Sequence, residues 1–321
     1  MDLRTAVVGY GVIGHVHEFV ARKHGKLCGV CDIKPEVLEN IEPELRYTDY
    51  IRMLDEILPD VVHICTPHYL HADMVVEALD RGINVLCEKP LCIKHGDIER
   101  ILEAEKRSSA ILGVCLQNRY NAATLFVKNY LVNKKVDCAS GTVFWHRDEA
   151  YYASGDWRGK WNTEGGGVLI NQALHTLDLL IWLCGEPGAV TASTSKLKLS
   201  GSIEVEDTAT LICDGESPFV FCASNCSARD CPVELTVMVD GKPIKILPHS
   251  VMLNDELHKF EEAHTFFGKE CYGSSHELLI SDFYDCVLNK RHFTIDGTEG
   301  AKVIRVILGA YASHGKKINV T

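Results

Sequence analysis

Thr5-Ala6-Val7-Val8-Gly9-Tyr10-Gly11-Val12-Ile13-Gly14-His15 is the stretch on which the reading of this chain turns. Thr5–Val8 reads as a short apolar strand. His15–His24 carries Val16, Phe19 and Val20 at helical spacing, and Gly25 is its expected stop. Gly9-x-Gly11-x-x-Gly14 stands between the two. Alone the pattern is weak, but a strand before it and a helix after it are the context that gives it meaning. The first glycine permits a tight turn, the second lets backbone approach a pyrophosphate, and the third lets the helix pack on the strand. Val12 and Ile13 lie in this loop as expected cofactor contacts, and the helix N-terminus that follows offers N–H groups and a positive dipole end to phosphates. Asp32 ends the next strand, where a carboxylate accepts from the adenosine ribose and repels a 2′-phosphate. NAD is therefore expected rather than NADP, although Lys34 nearby leaves NADP open.

Working outward, Leu27–Cys31, Asp60–Cys65, Asn84–Cys87 and Ile111–Leu116 read as four more strands. Pro35 starts a helix, and Tyr69–Arg81 and Asp97–Arg107 are helical. This alternation predicts a doubly wound parallel α/β sheet. After about Tyr120 the pattern changes. A helix over 122–132 and a strand over 139–145 lead into a polar, aromatic loop at 147–163. A long helix over 166–183 follows, then strands at 190–199, 207–213, 219–225 and 233–247, the last broken by the hairpin signal Asp240-Gly241. Helices over 276–289 and 298–314 finish the chain. The expectation is a Rossmann domain over 1–120 and an α+β domain with a largely antiparallel open sheet over 121–321, packed closely around a cleft.

Composition narrows the function. With 321 residues the chain can bury two ordinary cores. Its 44 acidic against 33 basic residues, net charge −11, argue against nucleic acid or an anionic membrane as partner. No apolar run is long enough to span a bilayer. Met1-Asp2-Leu3-Arg4 runs at once into a strand, so no leader peptide is expected and the cytoplasm is the expected location. The 14 cysteines then read as reduced thiols. Cys28 and Cys31 lie on one strand, where residues three apart face opposite ways, so their C-x-x-C spacing predicts no metal site. His15 and His17 read as helix-surface residues. His146, Asp148 and Glu149 read as a solvated strand end, and no metal is expected.

Three further segments carry a resemblance: Thr66-Pro67-His68-Tyr69-Leu70-His71, Cys87-Glu88-Lys89-Pro90, and Gly165-Gly166-Gly167-Val168-Leu169-Ile170-Asn171-Gln172-Ala173-Leu174-His175-Thr176-Leu177-Asp178. With the glycine loop and the ending Asp296–Ala301, they resemble the glucose–fructose oxidoreductase, inositol dehydrogenase and rhizopine-catabolism family (Gfo/Idh/MocA). The resemblance implies a two-domain NAD(P)-dependent oxidoreductase of sugars, polyols or their derivatives. It also implies a homodimer or homotetramer, often assembled through the open face of the second sheet.

Oxidising an alcohol requires a base for the hydroxyl proton and a positioned nicotinamide. Lys89 stands just past a strand's C-terminal end, where α/β sheets bind ligands, and the resemblance makes it catalytic. His175 matches the family's proton acceptor. Asn171, His175 and Asp178 fall at i, i+4 and i+7 and should share a helix face. Asn171 departs from the Asp that many members carry; Asn cannot take a proton but can hydrogen-bond a hydroxyl or the lysine. The resemblance further implies cofactor contacts from Thr66, Pro67, His71, Glu88, Lys89 and Gln117 besides the glycine loop. Asp178, Arg119, Tyr151, Trp157 and Arg158 are the expected substrate contacts, since aromatic faces stack on sugar rings and Arg binds hydroxyls or anions.

The expected reaction is reversible NAD-dependent oxidation of a secondary hydroxyl of a sugar, glycoside or cyclitol, with Lys89 and His175 as acid–base pair. Asn171-Gln172 and the aromatic loop incline it toward C3 of a pyranose. The alternatives are an NAD-recycling glycoside-cleaving enzyme and a non-catalytic sugar or NAD sensor. Retention of both Lys89 and His175 weighs against the sensor.

Overall fold

The computed structural model describes residues 3–261 and 275–320. The chain divides into two compact units, the first Met1–Leu116 with His276–Ala301 and the second Gln117–Ser275 with Lys302–Thr321.

In the first unit, β1 (Arg4–Val8), α1 (Val12–His24), β2 (Lys26–Cys31), β3 (Arg46–Tyr47), α2 (Tyr50–Ile57), β4 (Val61–Ile64), α3 (His71–Asp80), β5 (Asn84–Cys87), α4 (His95–Arg107) and β6 (Leu112–Val114) follow one another. The strands form one parallel sheet in the order β3-β2-β1-β4-β5-β6. That order reverses between β1 and β4, which opens a ligand crevice at the strands' C-terminal ends. β4 is buried at all four positions, as a strand covered on both faces must be.

Two local expectations change. Pro35 opens only a single 3-10 turn, Pro35–Leu38. Pro43 follows eight residues later and starts another turn, and a residue ahead of proline resists helical geometry. β3 and α2 were not expected; α2 is announced only by Asp49, whose carboxylate accepts Arg52 N–H at 2.8 Å as a cap.

The second unit contributes α5 (Ala122–Tyr130), β7 (Cys138–Phe144), α6 (Glu149–Ala153), α7 (Leu174–Cys184), β8 (Ala189–Ser195), β9 (Thr208–Asp214), β10 (Phe219–Ser224), β11 (Glu234–Val239), β12 (Lys242–Leu247), β13 (Ser250–Leu253) and β14 (Glu256–Lys259). After them come α8 (Ser275–Asn289), α9 (Gly297–Ser313) and β15 (Ile318–Asn319). The second sheet has nine strands in the order β14-β13-β12-β11-β7-β10-β9-β8-β15, antiparallel except where β7 meets β10. Asp240 and Gly241 take φ of 52° and 71° and turn the β11–β12 hairpin, as their left-handed tolerance allows. α7, nearly all apolar, packs against β7 and β10. A Cβ at Gly141 on β7 would come within 2.9 Å of Leu180 and Leu235, so the glycine admits the helix.

The expected boundary at 120 does not describe the C-terminal part. His276–Ala301 belongs to the first unit, and the reason lies at β6, the sheet's edge strand. Val114 N–H donates to Ile295 O at 2.9 Å. Phe283 and Phe293 are fully buried and lie where a Cβ on Gly113 would be, at 2.7 and 3.0 Å. The segment closes an edge that would otherwise leave donors unpaired and apolar surface wet.

The helix expected over 166–183 begins only at Leu174. Residues 165–167 are held instead by buried Glu206, whose carboxylate accepts Gly167 N–H at 2.8 Å and Leu169 N–H at 3.0 Å. Gly165 and Gly166 have φ of 86° and 151°, outside helical geometry. Asn171 therefore lies in the turn ahead of the helix, and the shared helix face applies only to His175 and Asp178.

Candidate functional site

In the first unit the glycine loop has a definite division of labour. Gly9 is buried with φ of 87°, and a Cβ there would lie 2.6 Å from the Cys65 and Thr66 backbone. A Cβ on Gly14 would lie 2.1 Å from Gly9 O, so only glycine lets α1 start this close to β1. At Gly11 a Cβ would meet nothing within 4 Å, so the loop keeps an open side there. Gly11 caps α1 without any side-chain hydrogen bond, leaving the helix N-terminus to serve an anion. Val12 is exposed and Ile13 half-buried on this first turn. Asp32 accepts Tyr10 N–H at 2.8 Å on one oxygen and Lys34 N–H at 2.9 Å on the other. Its carboxylate is thereby fixed at the end of β2, beside the loop. These residues fit a dinucleotide: an open backbone cradle for the pyrophosphate and an oriented carboxylate for ribose hydroxyls.

Thr66 and Pro67 follow β4 and remain half-buried. His71 is fully buried, with Nε2 2.8 Å from Thr66 O and Nδ1 2.7 Å from Pro90 O. It ties the loop after β4 to the loop after β5. Glu88 also has protein partners. It is buried at the end of β5, and its Oε1 lies 3.0 Å from His17 Nε2 and 3.5 Å from His276 Nε2. Burial alone would push this carboxyl up, but His17 and His276 hold it well below the usual carboxylate range. Its other oxygen accepts Lys89 N–H at 3.2 Å, so the backbone carrying Lys89 hangs from a fixed charge.

His17, expected on the surface of α1, is instead fully buried. Its Nδ1 is 2.8 Å from His63 Nδ1, and His63 Nε2 is 2.7 Å from Tyr284 Oη. Burial lowers both imidazoles' affinity for a proton. With both rings neutral one arrangement satisfies each contact: Tyr284 O–H donates to His63, His63 N–H to His17, and His17 N–H to Glu88. Among the described residues, His17, Glu88 and Cys115 place metal-ligand atoms within 4.8 Å of one another. The hydrogen bond from His17 already accounts for that approach, and burial keeps the Cys115 thiol protonated. His63 and His276 were not singled out in the sequence, where nothing distinguishes a core histidine from a surface one.

In the second unit, Gln117 Nε2 lies 3.1 Å from His175 Nε2. As the donor of this pair it leaves the neutral ring's own proton on Nδ1. Gln117 was expected at the cofactor; its observed partner is the histidine. Arg119 and Asp178 were expected at the substrate, but they form a buried bidentate ion pair, Nε to Oδ2 at 2.9 Å and Nη2 to Oδ1 at 2.6 Å. Each satisfies the other's charge where water cannot, and the pair locks α7 to the turn at Gln117–Tyr120.

Tyr151, Trp157 and Arg158 do come together. The Arg158 guanidinium sits 4.6 Å from the Tyr151 ring centre and 4.5 Å from that of Trp157. Arg158 Nη1 donates to Tyr151 Oη at 2.7 Å, as does Gln172 Nε2 at 2.9 Å. Asn171 Nδ2 faces the same oxygen at 3.3 Å and donates to Glu164 Oε1 at 2.5 Å. Glu164 is fully buried and was missed by sequence reasoning, since its place before three glycines says nothing about burial. His146, Asp148 and Glu149 have structural partners: Asp230 on the His146 backbone, Tyr151 N–H on Asp148, and Ser202 on Glu149. No helix among the described residues is long and apolar enough to cross a membrane.

Comparison with known proteins agrees with this geometry. Residues 3–116 match the model of an oxidoreductase family with an NAD-binding Rossmann fold, and residues 135–242 match the C-terminal domain of the same family. The chain is similar to D-glucoside 3-dehydrogenase of Escherichia coli, 24% identical over 62% of this chain and 59% of that protein. It thus spans little more than half the length of that curated relative. It is 21% identical to myo-inositol 2-dehydrogenase of Thermotoga maritima over 99% of this chain and 98% of that one. It also resembles the crystal structure of the WlbA dehydrogenase from Bordetella pertussis in complex with NADH and UDP-GlcNAcA, with a TM-score of 0.85 and 25% identity over 99% of both chains. A glycine loop built for a dinucleotide, and two models of one family that together match more than half of the chain, place it in the Gfo/Idh/MocA family of NAD-binding oxidoreductases.

Proposed function

We propose that this chain is an NAD-dependent dehydrogenase that reversibly oxidises a secondary hydroxyl of a sugar, glycoside or cyclitol, with Lys89 and His175 handling the proton. The observation that carries the proposal is the placement of Lys89. It stands just past the C-terminal end of β5, on the same edge of the parallel sheet as the glycine loop after β1, with its backbone N–H held by Glu88. A cation held there polarises the reacting oxygen beside a bound nicotinamide. NAD, when bound, supplies the hydride acceptor, and Gly9, Gly11, Gly14 and Asp32 hold it. His175 gains a proton at Nε2 only as Gln117 turns its carbonyl oxygen to the ring, because the amide N–H that faces a neutral imidazole cannot face an imidazolium. Arg119 and Asp178 keep that histidine's helix in register.

The named activities of the relatives support this substrate class, and the Arg158, Tyr151 and Trp157 cluster offers flat faces of the kind that stack on sugar rings. We further propose a homo-oligomer. Ile212 on β9 and Val220 on β10 are register partners exposed on the sheet face opposite α7, together with Phe144.

The test is NADH appearance on mixing protein, NAD and a panel of inositols, glycosides, free sugars, sugar acids and nucleotide sugars, with NADP in parallel. Lys89→Ala should lower turnover by about 10²- to 10⁴-fold while NAD still raises the melting temperature. A Lys89→Ala protein as active as wild type would remove the lysine from the mechanism. NADP-only activity would overturn the reading of Asp32.

A further inference from the structure

A guanidinium stays charged at every ordinary pH, so an arginine drawn out of water calls for an anion. The other buried or half-buried arginines each have one: Arg81 pairs with Asp55, Arg119 with Asp178, Arg147 with Asp230 and Arg305 with Glu186. Arg158 is half-buried and, among the described residues, has no ion pair. Its guanidinium lies over the rings of Tyr151 and Trp157, 4.6 and 4.5 Å from their centres. Nη1 donates to Tyr151 Oη at 2.7 Å. Among the described residues, Nε and Nη2 have no acceptor. Those two N–H groups run parallel along one edge of the planar fork, at the spacing of two oxygens of a carboxylate or a phosphate. Stacking on Tyr151 does not itself replace a counter-ion. Arg147 lies over the same ring at 5.2 Å, yet its Nη1 donates to Asp230 Oδ1 at 3.0 Å.

Arg158 also belongs to the surroundings of His175. The Tyr151 oxygen that accepts from it faces Gln172 Nε2 at 2.9 Å and Asn171 Nδ2 at 3.3 Å, in the turn that leads into α7. Tyr151 packs in turn on a buried cluster of Tyr152, Leu199, Ile203 and Val205, so the arginine stands on a fixed support. We propose that Arg158 is a specificity-determining residue: through Nε–H and Nη2–H it binds an anionic group, a carboxylate or a phosphate, carried by the sugar substrate. That the anion belongs to a substrate rests on the dehydrogenase reading; that Arg158 takes an anion does not. The substrates favoured are sugar acids or phosphorylated sugars, and a neutral sugar leaves a held guanidinium edge unmatched.

Two measurements test it. The first is turnover with NAD and methyl β-D-glucopyranoside, methyl β-D-glucuronide or methyl β-D-glucopyranoside 6-phosphate, which share a ring and differ at its outer carbon. The wild-type protein should favour an anionic sugar over the neutral one by about 10- to 100-fold in kcat/KM. Which of the two is favoured says whether the edge takes a carboxylate or a phosphate. Arg158→Gln should erase most of that preference, chiefly through KM. Arg158→Lys keeps the charge but not the fork and should restore only part of it. A residue that merely packs the loop would lower turnover of all three sugars alike. A wild type without preference for an anion, or a preference that survives Arg158→Gln, overturns the assignment and leaves the dehydrogenase reading standing.

The second measurement needs no turnover. With NADH present to occupy the glycine loop, the glucuronide or the 6-phosphate should raise the wild-type melting temperature more than the neutral glycoside does. Arg158→Gln should remove the difference, and where that variant does not fold, Arg158→Lys should reduce it. If no sugar of these or of the wider panel is oxidised, the dehydrogenase reading falls, and the melting comparison decides the anion site by itself. Equal shifts from charged and neutral sugars in wild type, or a difference that both variants keep in full, overturn it.

Discussion

At the scale of single residues, each unit buries ionisable side chains with partners: Glu88 with His17 in the first, Arg119 with Asp178 in the second. Lys89, His175 and Asn171 were legible from the sequence as candidates because the motifs around them are specific. Glu88, Arg119 and Asp178 were legible as positions but not as roles, since a motif does not say whether a carboxylate meets a ligand or another side chain. Glu206 was not legible at all. Burial pushes its carboxyl up to about 7, against the pull of hydrogen bonds from Leu169, Gly167 and Tyr311. Its folded pKa lies above the unfolded value, so the stability it contributes is fully present below about pH 4.5 and is lost as pH rises through about 7. The shift corresponds to on the order of 3 kcal/mol. Melting curves should show the advantage of wild type over Glu206→Gln shrinking between pH 5 and 8. A gap that stays constant with pH would mean that Glu206 is ionised throughout.

At the scale of elements, the glycines divide into those that serve a ligand and those that serve packing. Gly11 is of the first kind, with open space where a Cβ would stand. Gly167 is of the second: a Cβ there would lie 1.8 Å from Glu206 O, a backbone atom that cannot move aside cheaply. Gly167→Ala should therefore cost at least about 3 kcal/mol, read as a large drop in denaturant midpoint. An unchanged midpoint would mean that the turn ahead of α7 yields easily. The same turn explains why the helix expected from 166 starts at Leu174. The apolar run from Val168 onward has helical spacing, but Glu206, far along the chain, takes the backbone N–H groups of Gly167 and Leu169 before a helix can use that stretch. Conversely, α2 was overlooked because its signal is one capping Asp49 and a short amphipathic run, weak beside the strands around it.

At the scale of the whole chain, sequence order and spatial grouping part company. Strand and helix alternation announced the first sheet, and Asp240-Gly241 announced a hairpin in the second. Nothing in His276–Ala301 announces that it finishes the first unit, because covering the edge of β6 depends on Gly113 making room for Phe283 and Phe293. Among the described residues, the face of the second sheet that carries Ile212 and Val220 is exposed, which bears on the proposed assembly. If the proposed homo-oligomer uses this face, replacing the exposed Ile212 and Val220 together by lysine should lower the mass seen in light scattering to that of a monomer, since two apolar side chains would become charges at the interface. An unchanged mass would move the interface elsewhere.

Local chemistry was enough to determine the dinucleotide loop, the alternation that makes a parallel sheet, the acidic surface and the candidacy of Lys89 and His175. Each depends on residues close together in the chain, where turn geometry, periodicity and side-chain type act directly. Tertiary structure alone decided that His17 and Glu88 hold the backbone of Lys89, that Arg119 belongs to Asp178, and that Glu164 grips Asn171. Those pairings join residues distant in sequence or hidden by burial. Whether a polar group faces water, a ligand or an opposite charge follows from which elements pack over it.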